Sequence, residues 1–339
     1  MAEPTAGKRG TPTPKRQKPP ARRAGTVALV GRPNVGKSTL MNALLGERLT
    51  ITSGKPQTTR DRIAGILTND IEQFIFLDTP GIHAARTKLG AHMNALAEES
   101  AREADVVVFV CELTQPPKTE VAREDRAILA KIPEGKKVVL VLNKVDRIKE
   151  KAALFPVLEA YGKLRDFEAI VPLSARKADG ASRVLGEVGK LLPEGDHPYP
   201  DDEISDKPVR FFVAEYVREQ VLKYTRDEVP HGVAVEVESF EEGLRVPRIQ
   251  VVLHVDKDSH KAIVLGEKGS LMKEIGKGAR ARVEALIGRQ VHLAVHVRTT
   301  PGWYESDQRL MELGYARTSS EGRKKTPKPA KSKAKGEPR

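Results

Sequence analysis

The segment Gly31–Ser38 reads GRPNVGKS and forms a complete G-x-x-x-x-G-K-[ST] phosphate loop. An apolar segment at 26–30 precedes it, and a segment of helical character at 39–45 follows it. This setting distinguishes a phosphate-binding loop from a chance match, because backbone N–H groups and a helix N-terminus then surround the phosphate oxygens. The loop predicts nucleotide binding, with Lys37 at the β- and γ-phosphates and the Ser38 hydroxyl on Mg²⁺. The predicted phosphate-binding residues are Gly31, Arg32, Pro33, Asn34, Val35, Gly36, Lys37 and Ser38.

The motif Asp78-Thr79-Pro80-Gly81 directly follows an apolar segment at 74–77. A carboxylate at a strand end can hold Mg²⁺ through water, and the Gly81 N–H can contact a γ-phosphate that is lost on hydrolysis. Asp-x-Pro-Gly is also ordinary turn chemistry, so the prediction depends on its position after the phosphate loop. The predicted nucleotide-contacting residues here are Asp78, Thr79, Pro80, Gly81 and Ile82.

Two adjacent threonines, Thr58 and Thr59, lie in a polar segment between the first predicted helix and the second predicted strand. One of their hydroxyls is expected to complete the Mg²⁺ shell in the triphosphate state, and Thr59 is preferred over Thr58. A polar surface loop is the alternative interpretation of this segment. The predicted metal ligands are therefore Ser38, Thr59 and Asp78.

The motif Asn143-Lys144-Val145-Asp146 ends an apolar segment at 137–142. The Asp146 carboxylate can accept hydrogen bonds from N1–H and the exocyclic amine of guanine, whereas adenine offers neither donor there. A helix N-cap is the alternative role for this aspartate. A tripeptide after the next predicted strand would add a backbone N–H to guanine O6. The predicted base-binding residues are Asn143, Lys144, Val145, Asp146, Ser174, Ala175 and Arg176.

Strand-like and helix-like segments alternate over residues 25–192, which predicts an α/β fold with a doubly wound, mostly parallel sheet. The apolar segments 106–110 and 138–142 predict central strands that are buried on both faces. The strands are expected at 26–30, 63–67, 73–77, 105–111, 137–142 and 169–173. The helices are expected at 37–46, 90–103, 119–131, 151–164 and 180–191.

A Pro-, Gly- and acid-rich segment at 193–202 predicts a linker. Beyond it the pattern changes to helix–strand–strand–helix–helix–strand, which predicts a smaller α+β domain. Its elements are expected as an amphipathic helix at 209–226, strands at 232–239 and 248–255, a short element at 260–265, a helix at 270–287 and a strand at 290–298.

A G-x-x-G sequence at Gly266–Gly269 lies between two helical segments of this smaller domain. Such a turn lets the backbone approach phosphates closely, and it is weak evidence unless a basic helix follows, as here. A helix–turn–helix joint with solvated lysines is the alternative. The predicted RNA-binding residues are Gly266, Glu267, Lys268, Gly269, Lys273, Lys277 and Arg280. Ile263, Val264 and Ile275 are expected in the core and groove floor, and packing is preferred over RNA stacking for Trp303.

The net charge of +12 is concentrated at the chain ends. Residues 1–23 carry +6 and residues 317–339 carry +7, and both segments are poor in large apolar residues. They predict disordered tails attracted to nucleic acid or to an anionic membrane, with simple solubilisation as the alternative. The single cysteine, Cys111, excludes an internal disulfide and is expected to be a buried small hydrophobe.

The motifs occur in the order found in Ras-like GTPases of the translation-factor class, and the chain resembles the Era family over residues 25–316. The segments GRPNVGKS, PQTTR and DTPGI carry the resemblance, together with the G-x-x-G turn. It implies a P-loop GTPase domain at 24–194, a linker at 195–207 and a type-2 KH domain at 208–316. The tails at 1–23 and 317–339 exceed the family pattern, and His231-Gly232 replaces a common Tyr-Ser.

The resemblance implies a GTP-hydrolysing ribosome-assembly factor that uses GTP/GDP and Mg²⁺. Its expected partners are the 3′ region of 16S rRNA and the small (30S) ribosomal subunit. We expect a cytoplasmic monomer, and the family adds peripheral contact with the inner face of the membrane. An RNA-binding module with a nucleotide-sensing, weakly hydrolytic G domain is the alternative, and a tRNA- or membrane-linked GTPase is another.

Ile82 stands where the Ras branch carries a catalytic glutamine. An isoleucine cannot orient water by hydrogen bonding, so intrinsic turnover should be slow unless a partner, a loop residue or an ion assists. Similar GTPases use an asparagine at the position of Asn34 to bind K⁺, which makes K⁺ a candidate cofactor. The predicted catalytic residues are Lys37, Thr59, Gly81 and Asn34.

Overall fold

The computed structural model describes residues 21–113, 120–226 and 229–315. Most of the predicted basic tails at 1–23 and 317–339 lies outside these residues, although the first strand already begins at Arg23. The described chain contains one sheet of six strands and one of three.

The larger sheet has the strand order β2-β3-β1-β4-β5-β6. Its neighbouring strands are parallel except for β2 and β3, which are antiparallel, so the prediction of a mostly parallel sheet is confirmed. The strands are β1 (Arg23–Val30), β2 (Ile63–Thr68), β3 (Glu72–Asp78), β4 (Val106–Glu112), β5 (Lys137–Asn143) and β6 (Ala169–Pro172). The helices are α1 (Lys37–Leu45), α2 (Lys88–Glu103), α3 (Arg123–Leu129), α4 (Phe155–Gly162) and α5 (Ala181–Leu191).

The central strands β4 and β5 are buried on both faces, as their continuous apolar sequences predict. Cys111 lies in β4, and burial raises the pKa of its thiol. The helix predicted at 151–164 is interrupted, because a 3₁₀ turn at Lys151–Leu154 precedes α4. Pro156 lies in the first turn of α4, where its missing N–H has no helical acceptor to lose.

The smaller sheet has the order β7-β8-β9, with an antiparallel β7/β8 pair and a parallel β8/β9 pair. Its helices pack mainly through α6 and α8. This is the predicted helix and strand order of a type-2 KH domain. Its elements are α6 (Val209–Tyr224), β7 (Val233–Glu241), β8 (Arg248–Val255), α7 (Asp258–Leu265), α8 (Ser270–Ile287), β9 (His292–Thr299) and α9 (Asp307–Glu312).

Helix α6 is not amphipathic in the predicted sense, because its polar residues Arg218, Glu219 and Gln220 are buried with the apolar ones. The helix lies between the KH sheet and the loop that follows α1 of the G domain. Glu219 accepts from Arg48 at 2.6 Å and from Arg282 at 2.8 Å. Buried charges of this kind need partners, and here the partners come from both domains.

The predicted linker follows the edge strand β2. The Ile66 N–H donates to the Ile204 carbonyl at 3.0 Å, and Ser205 Oγ donates to the Ala64 carbonyl at 2.6 Å. Gln73 of β3 exchanges two hydrogen bonds with the backbone of Tyr199. The segment between the domains is therefore attached to β2 and β3 of the G domain by one backbone hydrogen bond and by hydrogen bonds of the Ser205 and Gln73 side chains.

Candidate nucleotide site and KH loop

The phosphate loop lies between β1 and α1, and its shape depends on Gly36. This residue has φ +101°, a conformation that favours glycine. A Cβ there would lie 2.3 Å from Asn143 Nδ2, so the close approach of the base-binding motif also requires glycine. Asn143 Nδ2 donates to the Val35 carbonyl at 2.8 Å. The loop is thereby joined directly to the end of β5.

Lys37 is buried beneath the loop, and its ammonium donates to the carbonyls of Gly31 at 3.1 Å and Arg32 at 2.9 Å. Burial lowers the pKa of Lys37 to about 8, and the charge of Asp78 opposes this shift. An anion bound in the loop would favour the charged form. The lysine therefore lies where a phosphate chain could use its charge.

The side chains of Ser38, Thr59 and Asp78 meet at one end of the loop. Ser38 Oγ lies 2.9 Å from Thr59 Oγ1, and Thr59 Oγ1 lies 3.3 Å from Asp78 Oδ2. Thr58, the alternative candidate, instead donates to the Lys55 carbonyl at 2.7 Å. The structure thus brings together the three oxygen donors that the sequence predicts as metal ligands.

This group of oxygens fits Mg²⁺. Asp78 Oδ1 is buried and has no hydrogen-bond partner among the described residues. Burial raises the pKa of Asp78 to about 6, although hydrogen bonds from Ser38 and Thr59 act to lower it. Two hydroxyls and a carboxylate are hard oxygen ligands, and Mg²⁺ is typically held by few protein ligands together with substrate phosphates.

The base-binding motifs converge at the opposite end of the site. Asn143 Oδ1 accepts from the Ala175 N–H at 3.0 Å, which joins the ends of β5 and β6. Asp146 Oδ1 accepts from Ser174 Oγ at 2.7 Å, and this hydrogen bond lowers the pKa of the aspartate. Lys144 donates to the Asn34 carbonyl at 2.8 Å. Val145 begins a short 3₁₀ turn beside these groups.

A cavity of about 610 Å³ connects the two ends. Residues from every predicted nucleotide motif line it: Pro33, Asn34, Gly36, Lys37, Ser38, Thr59, Gly81, Asn143, Lys144, Asp146 and Arg176. Thr79 Oγ1 donates to the Leu29 carbonyl at 2.6 Å, and the next residue, Pro80, is buried. Asn34 Nδ2 donates to the Gly54 carbonyl at 3.1 Å.

Ile82 is buried in the apolar cluster on one face of the sheet. Its N–H donates to the Gly31 carbonyl at 3.2 Å, which places Gly81 and Ile82 beside the phosphate loop. The buried isoleucine side chain has no group that can orient water by hydrogen bonding, which agrees with the expectation for this position.

The G-x-x-G turn joins α7 to α8. Gly266 has φ +70°, and a Cβ there would lie 2.8 Å from the Cβ of Leu271. Lys268 and Gly269 also have positive φ values. The exposed basic side chains around this turn are Lys268, Lys273, Lys277 and Arg280, and Glu267 is exposed beside them.

One expectation for this region needs correction. Ile263 is 49% exposed and is not a core residue, whereas Val264 and Ile275 are fully buried. Arg282 is one of the basic residues of α8, but it forms an ion pair with Glu219. Its Cζ lies 4.1 Å from the Tyr216 ring centroid. Its charge is used at the domain interface and does not add to the exposed basic surface.

Trp303 packs inside the molecule. It is fully buried, and its Nε1 donates to the Gly232 carbonyl at 3.0 Å. The expectation of a packing role is confirmed. The turn at His231 and Gly232 thus provides the hydrogen-bond acceptor for Trp303, a role that the sequence alone does not indicate.

Two family comparisons support this architecture. Residues 26–144 match the family of 50S ribosome-binding GTPases, and residues 228–303 match the KH domain family. The fold and site therefore define a P-loop GTPase that carries a KH domain.

Full-length relatives make the assignment more specific. GTPase Era of Ruminiclostridium cellulolyticum is 43% identical over 297 residues, which cover 86% of this chain and 97% of the relative. GTPase Era of Geobacter metallireducens is 44% identical over 297 residues, which cover 86% and 98%. The chain belongs to the Era family, and it is a GTPase.

Solved structures agree with this assignment. A crystal structure of Era in complex with MgGDPNP and nucleotides 1506–1542 of 16S ribosomal RNA matches with a TM-score of 0.83 and 37% identity. A single-substitution variant of Aquifex aeolicus Era bound to GDP·AlF₄⁻ matches with the same values. Each match covers 87% of this chain and 100% of the other. Within the described ranges, every helix is too short or too polar to cross a bilayer.

Proposed function

We propose that the protein binds Mg²⁺-GTP in the 610 Å³ cavity and hydrolyses it by in-line attack of water on the γ-phosphate. The meeting of Ser38, Thr59 and Asp78 beside the buried Lys37 is the observation that carries this proposal. Mg²⁺ supplies charge neutralisation to the phosphate oxygens when it is bound.

The protein's own groups have distinct roles in this proposal. Lys37 neutralises charge on the β- and γ-phosphates, and the Gly81 N–H contacts the γ-phosphate. Ser38 and Thr59 would hold the metal through their hydroxyls, and the Asp78 carboxylate would hold it through water. These roles explain why a lysine with a lowered pKa and an unpartnered buried carboxylate oxygen lie so close together.

Guanine selectivity is assigned to Asp146. Its carboxylate has a lowered pKa and is therefore fully ionised at neutral pH, ready to accept from guanine N1–H and the exocyclic amine. Asn143 holds the three motif loops together through its amide. With adenine bound, the Asp146 carboxylate would have no donor to accept from, and an unpaired carboxylate lowers the binding affinity.

We propose that the KH domain binds the 3′ region of 16S rRNA. A similar solved Era contains nucleotides 1506–1542 of that RNA. In the present chain, Lys273, Lys277 and Arg280 are exposed at helical spacing on α8, directly after the G-x-x-G turn. Single-stranded RNA would place its phosphates on this turn and its bases in the adjoining groove.

The proposed biological role is maturation of the small ribosomal subunit. GTP would order the loops at 50–62 and 78–92, and hydrolysis would release their γ-phosphate contacts and favour departure from the particle. We also propose that the GTPase domain ends at residue 194 and that the KH domain begins at residue 208. Peripheral membrane contact rests on the charge of the tails, which lie outside the described residues apart from positions 21–23.

Paired variants test the division of labour. K37A is expected to abolish tight GTP binding and to leave the Kd for a 16S 3′-end oligonucleotide within about twofold, since Lys37 is buried in the G domain. The double substitution G266D/G269D is expected to weaken RNA binding and to leave the GTPase rate unchanged. Lys151 lies on the G domain, so K151E is the charge control. RNA binding by G266D/G269D at wild-type affinity would overturn the KH assignment.

K⁺ stimulation is a separate proposal. Asn34 is a residue of the phosphate loop that lines the cavity, and its side-chain amide carries an oxygen that could serve as a K⁺ ligand. If K⁺ binds there, GTP turnover is faster in KCl than in NaCl at equal ionic strength, and N34A removes the difference. Equal rates in both salts would refute the proposal.

A further inference from the structure

The loop that contains Thr59 is attached to the KH domain on both sides of that residue. The Thr59 hydroxyl points into the G domain, 2.9 Å from Ser38 Oγ. The Thr58 carbonyl accepts a hydrogen bond from Arg218 of α6, and the Arg60 side chain enters the turn before β7. Three consecutive residues therefore connect the candidate Mg²⁺ site to the second domain.

Arg60 is the most deeply inserted of these contacts. It is 2% exposed, and its Nη2 donates to the carbonyls of Pro230 and His231, each at 3.0 Å. Its Nη1 donates to the Val233 carbonyl. The Arg60 Cζ lies 5.6 Å from the ring centroid of Trp303, so the cation also rests on an aromatic ring.

The buried Arg60 guanidinium requires that its hydrogen-bond acceptors stay in place. Arg60 Nε is buried without a hydrogen-bond partner among the described residues, and burial lowers the pKa of the guanidinium. A buried charge is costly unless its hydrogen bonds are kept. Displacing the loop by even a few ångströms would remove three carbonyl acceptors at once, so the loop and the turn are expected to move together or not at all.

Neighbouring contacts lead to the same domain. Arg218 is 1% exposed and pairs with Glu215 at 2.5 Å while it binds the Thr58 carbonyl. Lys55 donates to the carbonyls of Leu222 and Thr225 at the end of α6. Lys55, Thr58 and Arg60 thus each contact the KH domain, whereas the Thr59 hydroxyl lies beside Ser38 and Asp78.

We propose that Arg60 is a positioning residue that holds Thr59 in register with Ser38 and Asp78 by binding the carbonyl groups of residues 230–233. The inference rests on the proposed role of Thr59 as a Mg²⁺ ligand. Because that role exists only with the triphosphate, Arg60 raises the preference for Mg²⁺-GTP over GDP. It does so without touching the nucleotide, since it is not among the residues that line the cavity.

The test measures the ratio of the Kd for GDP to the Kd for GDPNP, with Mg²⁺, by calorimetry on the full chain. R60A is expected to lower this ratio about tenfold, within the usual range of coupling between sites. The Kd for GDP should stay unchanged, which a general loss of folding would not allow. R60K should give an intermediate ratio, because one ammonium cannot reproduce the planar guanidinium contacts.

Arg62 provides the matched control. It lies two residues further on and pairs with Glu103 of the G domain at 3.7 Å. R62A should leave the ratio at its wild-type value. A wild-type ratio in folded R60A overturns the inference; if R60A does not fold, a wild-type ratio in folded R60K does the same.

T59A separates this inference from the proposed function. A wild-type ratio in T59A means that Thr59 is not a metal ligand, and the proposed site itself is then wrong. A lowered ratio in T59A with wild-type ratios in the Arg60 variants leaves the site intact and refutes only the positioning role.

Discussion

Arg32 Nε lies 2.7 Å from Asp125 Oδ1, which joins the second residue of the phosphate loop to α3. Asp125 is 1% exposed and also accepts from the Tyr161 hydroxyl of α4 at 2.9 Å. Burial raises the pKa of Asp125, and the hydrogen bond from Arg32 opposes the shift. Two helices therefore brace the phosphate loop through Arg32, which does not line the nucleotide cavity.

We expect D125N to destabilise the fold by about 1–3 kcal/mol, because it leaves the Arg32 guanidinium without its anionic partner. The free energy of unfolding in urea gives the stability, and fluorescence titration with a GDP analogue gives the affinity, which should also fall. Y161F removes only one hydrogen bond to the same carboxylate and should cost about 1 kcal/mol. D125N behaving no worse than Y161F would contradict the bracing role.

We expect D146N to reverse the base preference. An asparagine offers an N–H donor where guanine also presents donors, so GTP affinity should fall by about 10²-fold or more. Xanthosine triphosphate carries an oxygen in place of the amine and should bind D146N better than the wild type. Competition titrations with both nucleotides measure this exchange. Undiminished GTP affinity in D146N would show that another group selects the base.

We expect Cys111 to be unreactive in the native protein. The thiol is fully buried in β4, and its raised pKa keeps it protonated at neutral pH. A thiol-reactive dye should therefore label it only after unfolding, and the labelling rate at low denaturant should follow the unfolding rate. Rapid stoichiometric labelling of the folded protein would show that the Cys111 thiol is accessible, which would contradict its burial in β4.

We expect Trp303, the single tryptophan, to report directly on the junction between the domains. Its full burial predicts a blue-shifted emission that acrylamide quenches poorly. W303A should cost about 3–5 kcal/mol of unfolding free energy through the cavity it leaves. W303F keeps most of the packing but loses the bond to the Gly232 carbonyl, so its cost should be smaller. Equal stability of W303A and wild type would be incompatible with this packing.

The sequence predicts those parts of the molecule that depend on local chemistry. The phosphate loop has the expected setting between β1 and α1, and α8 has the predicted bounds at Ser270–Ile287. The preference for Thr59 over Thr58 also agrees with the position of its hydroxyl. For the phosphate loop and α8, spacing along the chain fixes the geometry over a few residues, whereas the Thr59 hydroxyl meets Ser38 across 21 positions.

The remaining features depend on contacts between distant segments. Arg60 looks like an ordinary polar loop residue, and nothing local indicates that it is buried against residues more than 150 positions away. Arg218 and Glu219 give α6 a polar face, and its burial follows only from contacts with the G domain, at the Thr58 carbonyl and Arg48. Exposed Ile263 shows the reverse error, because an apolar residue beside Val264 resembles a core position.

The hydrogen bonds of Ile204 and Ser205 to β2 have a practical consequence for dissecting the molecule. Ile204 and Ser205 occupy backbone groups at the open margin of the six-stranded sheet. A fragment that stops at residue 194 would leave those groups free to recruit a strand from another chain, which is the usual route to self-association of unprotected sheets. A well-behaved G-domain fragment should therefore extend through residue 207.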